Sequence, residues 1–268
     1  MPRMTSYRHG VPSWTDVSSP DIERSAAFYC DLFGWEVSPD RGDEFGGYRI
    51  FSKDGATVAG LGPVSGGPPA WTTYVDVADA DAAAARVTAS GGVLAVPPMD
   101  LPEGNGRIAF AIDPAGGFFG LFQPGPNHIG AQLVNEEGAV VWHELNVRQP
   151  ELVRSFYEQV FGWSVSPMEG APMPYHLVFV DGRVVGGVMT MGDQFPDHVP
   201  THWLPYFVVA DAQAAIDQCI ALGGGVVAGP FTTGMGPMAV VRDPFDSVFA
   251  LAAMQQIDDP NDWPDTTS

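Results

Sequence analysis

Apolar residues fall at Ile22, Ala26, Tyr29 and Phe33, at spacings of four, three and four, which predicts a helix over 21–33. Asp21 and Glu23 stand where a helix start favours acids, and Gly34 stands where a helix end favours glycine. Residues 14–17 read as a strand before this helix. After it come the short runs YRIFS and TVAGLG, divided by the Lys53-Asp54-Gly55 turn. The order then repeats. TTYVDV reads as a strand, 79–90 as an Ala-rich helix stopped by Gly91-Gly92, and GRIAFAID and FFGLFQ as strands about the Asp113-Pro114 turn. Each unit is a βαβββ module with one uncovered sheet face, so modules are expected to pair around a cavity.

The whole pattern recurs in the second half, its first unit 128 residues later. WTDVSSPDIERSAAFYCDLFGW, from Trp14, matches WHELNVRQPELVRSFYEQVFGW, from Trp142. WTTYVDVADADAA, from Trp71, matches WLPYFVVADAQAA, from Trp203, and RIAFAIDPAGGFFGL matches MAVVRDPFDSVFAL. The expected organisation is a first domain over 10–124, a linker over 125–138, a second domain over 139–254 and an acidic flexible tail over 255–268.

Composition narrows the partners. The 268 residues carry a net charge of −20, which repels phosphate backbones and anionic membrane surfaces. It favours solubility and attraction of neutral or cationic ligands. Cys30 and Cys219 form no CxxC pattern, no signal-peptide core opens the chain, and no run approaches the roughly 18 apolar residues of a spanning helix. A cytoplasmic protein is expected, as a monomer with internal pseudo-symmetry or a homodimer, taking a small molecule and neither nucleic acid nor membrane.

PDIERSAAFYCDLFGWEV and its copy QPELVRSFYEQVFGWSV resemble the first helix and following strand of the vicinal oxygen chelate modules, the glyoxalase/bleomycin resistance/dioxygenase superfamily. DPAGGFFGLFQ and DPFDSVFALA resemble its last strand, and HIGAQLVNEEG resembles a segment of actinobacterial two-domain glyoxalase-like proteins. The resemblance implies an α+β chain of four βαβββ modules in two pseudo-equivalent curved-sheet halves. It also implies a divalent metal held by His, Gln or Glu on the first and last strands of the modules. Those positions fall at Trp14, Thr72, Gly60 and Gly120 in one half, and at Trp142, Leu204, Gly187 and Ala250 in the other. None is such a ligand, so no cofactor is expected.

Strand alternation carried into the superfamily's geometry puts Trp14, Asp16 and Ser18 on the cavity face, and Trp142, Glu144 and Asn146 likewise. Tyr74, Asp76 and Tyr206 follow on the neighbouring strands, and Phe118 and Phe122 flank Gly120. Arg49 and His176 are expected to line the two cavities as counterparts, and the glycines to leave room for a ligand. Trp14, Tyr74, Phe118, Phe122, Trp142, Tyr206 and Arg49 are thus candidate ligand contacts. Glu144, His176 and Asp16 are candidate acid–base residues. The competing structural reading is that Trp14 and Trp142 plug the space of a lost metal and the acids are structural. The leading expectation is metal-independent binding of a small aromatic or cationic molecule, of resistance or carrier type. Two alternatives stay open: a metal-free lyase, isomerase or cyclase using the cavity acids, and a glyoxalase-like or dioxygenase-like metalloenzyme with other ligands. A protein-interaction role with vestigial cavities is a further class.

Overall fold

The computed structural model describes residues 3–254 apart from residues 41, 172, 234 and 235. The tail expected over 255–268 lies outside the described residues. The first half runs β1 (Pro12–Ser19), α1 (Ile22–Phe33), β2 (Glu36–Val37), β3 (Arg49–Lys53) and β4 (Ala56–Pro63). Its second module follows as β5 (Trp71–Asp76), α2 (Ala80–Ala89), β6 (Val93–Asp100), β7 (Gly106–Ile112) and β8 (Phe118–Pro124). The second half repeats the plan with β9 (Val140–Val147), α3 (Pro150–Phe161), β10 (Ser164–Pro167), β11 (Tyr175–Val180) and β12 (Arg183–Thr190). It ends with β13 (His202–Val208), α4 (Ala212–Ala221), β14 (Gly225–Thr233), β15 (Gly236–Arg242) and β16 (Val248–Ala252).

All eight strands of a half form one sheet, ordered β2-β3-β4-β1-β5-β8-β7-β6 and β10-β11-β12-β9-β13-β16-β15-β14. The modules join where β1 runs antiparallel to β5, and β9 to β13. Pairing is therefore within each half, and each half has its own concave face. Asp21 caps α1 by accepting from the Arg24 N–H, and Gly34 ends it at φ 69°. Strand β6 carries Pro97 and Pro98, which no alternation signals. It is tolerated because β6 is an edge strand, where a missing N–H breaks no ladder. No helix among the described residues is long and apolar enough to cross a membrane.

The two sheets stand back to back with their helices between them. Helix α1 and its sheet share a core with β13, α4 and β16. Helix α3 and its sheet share the matching core with α2, β5 and β8. Each buried aromatic there contributes about 1.5–3 kcal/mol. Polar links cross the same layer in duplicate. The Tyr29 hydroxyl donates to Asp243 at 2.9 Å, and the Tyr157 hydroxyl donates to Asp113 at 2.8 Å. The indoles of Trp71 and Trp203 donate to those two hydroxyls in turn. Each acceptor Asp also holds its own turn: Asp243 takes the N–H groups of Phe245 and Ser247, and Asp113 those of Ala115 and Gly117. The Trp35 indole reaches the Gly138 carbonyl at 2.6 Å, and the Trp163 indole reaches that of Gly10 at 2.6 Å. Gly10 has φ 87°, and a Cβ there would lie 2.9 Å from the Phe161 carbonyl oxygen, so only glycine suits this close approach.

Candidate functional site

On the concave face of the first half, β1 alternates as expected. Trp14 and Asp16 point inward, while Val17 packs under α1. The Asp16 carboxylate accepts from the Tyr74 hydroxyl at 2.7 Å and the Tyr48 hydroxyl at 2.9 Å. The Trp14 indole donates to the Tyr48 hydroxyl at 3.0 Å, completing a chain from indole to phenol to acid. Burial pushes the Asp16 carboxyl up to about 6, against the two phenolic hydrogen bonds that pull it down. Burial and the adjacent carboxylate raise both phenols well above the ordinary tyrosine value. The linker closes this face. His128 packs edge-on to Trp14 with ring centroids 4.6 Å apart, and 5.2 Å from Phe122. Ala131 and Gln132 then donate to the Ser13 and Thr57 carbonyls.

The second half builds the same chain from Trp142, Tyr175, Glu144 and Tyr206. The Trp142 indole donates to the Tyr175 hydroxyl at 2.8 Å, and the Tyr206 hydroxyl donates to Glu144 at 2.9 Å. Tyr175 also bonds the Glu144 carboxylate. The Asn146 amide donates to Glu144 at 3.2 Å, while its Oδ1 is buried without a hydrogen-bond partner. Burial raises the Glu144 carboxyl above its ordinary range, opposed by its three side-chain hydrogen bonds. His202 stands opposite Asn146 in the β9–β13 register, on the face shared by Leu204 and Tyr206. Its Nδ1 lies 2.8 Å from the Pro200 carbonyl, so Nδ1 carries the hydrogen and Nε2 the lone pair. Burial lowers the His202 imidazole below its ordinary value, which favours that neutral form. The rim of this face is half-buried at Tyr175, Leu177, Met238 and Val240.

Several expected site residues lie elsewhere. Arg49 does not line the first cavity. It points to the convex side and pairs with Glu23 on α1. His176 does not line the second; it sits under α3 among Val153, Tyr157 and Val188. Both readings were one residue out of phase. Phe51 is fully buried under α1, so Arg49 shares the helix side, and the inward residues are Tyr48 and Ile50. Sequence reasoning therefore missed Tyr48 and Tyr175, and a buried aromatic at position 51 was the available signal. It also missed His202, two residues before Leu204 on the same face. Phe122 is buried, whereas Phe118 is 42% exposed and stacks on Phe110 at the rim. Asp76 is buried with Oδ2 unpaired, and burial pushes it up to about 7.

The profile of the Glyoxalase/Bleomycin resistance protein/Dioxygenase superfamily matches residues 12–119 and 127–251. The chain belongs to this superfamily. A Mycobacterium tuberculosis protein bearing the provisional name glyoxylase CFP32 is 38% identical over 94% of this chain and 97% of its own. The anthracycline biosynthesis protein DnrV of Streptomyces peucetius is 33% identical over 94% and 96%. Among solved structures, the Mn(II)-bound glyoxalase of Novosphingobium aromaticivorans superposes with a TM-score of 0.65 at 16% identity, over 94% of this chain and 84% of that one. The 2,2',3-trihydroxybiphenyl 1,2-dioxygenase of Sphingomonas wittichii gives 0.64 at 15%, over 96% and 94%. These likenesses show a shared fold.

A superfamily metal would need donors where the four central strands meet. Asp16 pairs with Gly60 and Thr72, and Tyr74 pairs with Trp14 and Gly120. The glycines do not leave room there, contrary to expectation. A Cβ on Gly60 would lie 1.9 Å from the Tyr48 hydroxyl, and one on Gly120 would lie 2.0 Å from the Tyr74 ring. In the second half, a Cβ on Gly187 would lie 2.0 Å from the Tyr175 hydroxyl, and Ala250 is fully buried beside Tyr206. Tyrosine fills the space that ligand side chains would need. What remains is Asp16 bound to neutral phenols in the first half, with Asp76 two residues beyond Tyr74, and Glu144 with Asn146 and His202 in the second; among the described residues no three His, Cys, Asp or Glu gather as a metal site needs. Catalytic zinc sites use three protein ligands and harder cations more, so this donor set does not fit a divalent metal.

Proposed function

We propose that the concave face of the second half binds a small, flat, hydroxyl-bearing molecule without a metal. The observation that carries this reading is the buried Asn146 Oδ1 with no partner. Leaving such an acceptor unmet costs about 1–3 kcal/mol, which a donated ligand hydrogen bond relieves. The first half offers no such vacancy at the equivalent Ser18, whose hydroxyl donates to the Ala70 carbonyl. His202 Nε2 supplies a second acceptor beside it, and Trp142 and Tyr206 supply aromatic walls. The net charge of −20 favours neutral or cationic ligands over anions. A relative named for anthracycline biosynthesis fits a flat, hydroxylated aromatic ligand.

Tryptophan fluorescence of chelator-treated protein, titrated with hydroxylated polycyclic aromatics, tests this. Saturable quenching is expected, lost in Asn146→Ala and Trp142→Ala and kept in Trp14→Phe. Stoichiometric tight binding of Mn²⁺ or Fe²⁺, with ligand affinity dependent on it, would overturn the metal-free reading.

The raised Glu144 carboxyl favours one second reading, an acid–base lyase or isomerase with Glu144 as proton donor. Glu144→Gln separates the two. Turnover lost with affinity kept identifies catalysis, whereas weakened affinity with no turnover in either form identifies a binder.

A further inference from the structure

The convex sides of the two halves differ at one matched place. In the first half, Arg49 leaves β3 opposite Leu61 and lies in the groove between α1 and the sheet, its side chain only 13% exposed. Its guanidinium pairs with Glu23 in the first turn of α1. In the second half, the same register puts His176 opposite Val188, and the first turn of α3 carries Glu151 in the place of Glu23. Histidine is too short to cross the groove. A cavity of about 230 Å³ remains, lined by Glu151, Arg154, Tyr157, Trp163, His176 and Val188. His176 Nδ1 is buried there without a hydrogen-bond partner. Among the described residues, no cation lies within ion-pair distance of Glu151; Arg154 instead donates to the Val165 carbonyl at 3.3 Å.

We infer that this groove is a binding site for a small planar cation, a guanidinium or amidinium group, standing where the guanidinium of Arg49 stands in the first half. Glu151 supplies the counter-charge and His176 Nδ1 an acceptor for one N–H. Tyr157 and Trp163 give an aromatic floor for a flat cation. That floor is rigid, because the Tyr157 hydroxyl is held by Asp113 and the Trp163 indole by the Gly10 carbonyl. The volume lies below the roughly 300–1,000 Å³ of drug-sized pockets, so the site takes a compact group. The groove is on the opposite side of the sheet from Glu144 and is independent of the ligand proposed there.

NMR of the full chain, following the His176 ring and the Trp163 indole during titration with N-ethylguanidinium and with benzamidinium, tests the inference. Saturable shifts are expected at both, with the Trp142 indole unmoved and N-ethylurea without effect. His176→Arg fills the groove from within and should abolish the response. Glu151→Gln, an exposed change that leaves the core intact, should weaken binding by about threefold to tenfold. Arg49→His should open the twin groove and add a second equivalent, read at the Trp35 indole. Equal binding of the urea, absent shifts, or unchanged affinity in Glu151→Gln overturns the inference, the last even if His176→Arg fails to fold.

Discussion

The layer between the two halves and the surfaces facing away from it follow different rules. Across the shared layer the aromatic polar links exist twice, with matched lengths: Tyr29 to Asp243 and Tyr157 to Asp113, Trp35 to Gly138 and Trp163 to Gly10. On the outward faces the copies have parted. Asp16 is matched by Glu144, Ser18 by Asn146, and buried Asp76 by Val208, while on the helix side, at the margin of the shared layer, Arg49 is matched by His176. The FY, FGW and DP residues that carry the family resemblance lie in the shared layer. They hold one half to the other, which leaves the concave faces and grooves free to specialise.

The largest effects should come from breaking the duplicated links. Asp243→Ala and Asp113→Ala each leave a buried phenol and two turn N–H groups without an acceptor. Each should cost about 3–5 kcal/mol in urea unfolding. If one half tolerates the change, the equivalence fails. Next comes a graft from one half to the other, Asp76→Val. The Asp76 carboxyl is raised from 3.8 to about 7 in the fold, so the protonated form favours folding. That contribution is complete below about pH 3.8 and is lost as pH rises through 7. The variant should therefore gain about 2–4 kcal/mol over the parent at pH 8, and the gain should shrink steadily toward pH 4. A pH-independent difference would remove Asp76 from the asymmetry. Smaller again, Gly60→Ala and Gly187→Ala should each cost about 1–3 kcal/mol through collision with tyrosine. The second cost should be partly relieved when Tyr175→Leu is added, as a double-mutant cycle would show. Glu23→Gln should cost at most about 1 kcal/mol, since its carboxylate end of the ion pair is largely exposed. Thermal melts at low and high salt would check it.

Much of this was legible in the chain. The apolar spacing of α1 and the acid at Asp21 predict the helix to within one residue, because capping and burial there are local. Alternation along β1 and β9 puts Trp14 with Asp16 and Trp142 with Glu144 on one face, and the family resemblance says that this face looks inward. Alternation fails on β3 and β11, where a charged Arg49 and a titratable His176 drew the eye to the wrong phase. What fixes that phase is Phe51 meeting α1, a tertiary contact. The pairing of halves is hidden for a similar reason, since Tyr29 finds its acceptor more than 200 residues away. Nothing in the spacing of either residue announces the other.

The tyrosine–glycine contacts of the concave faces also bear on the mutational paths open to this chain. Replacing Gly60 first drives a new side chain into Tyr48, and replacing Tyr48 first strips Asp16 of one partner while leaving position 60 bare. Either single step descends before a second can climb, and Gly187 with Tyr175 poses the same barrier again. Drift toward a ligand-bearing strand thus needs paired substitutions in each half. Change at Asn146, His202 or His176 meets no such obstacle, and new specificities should accumulate there first.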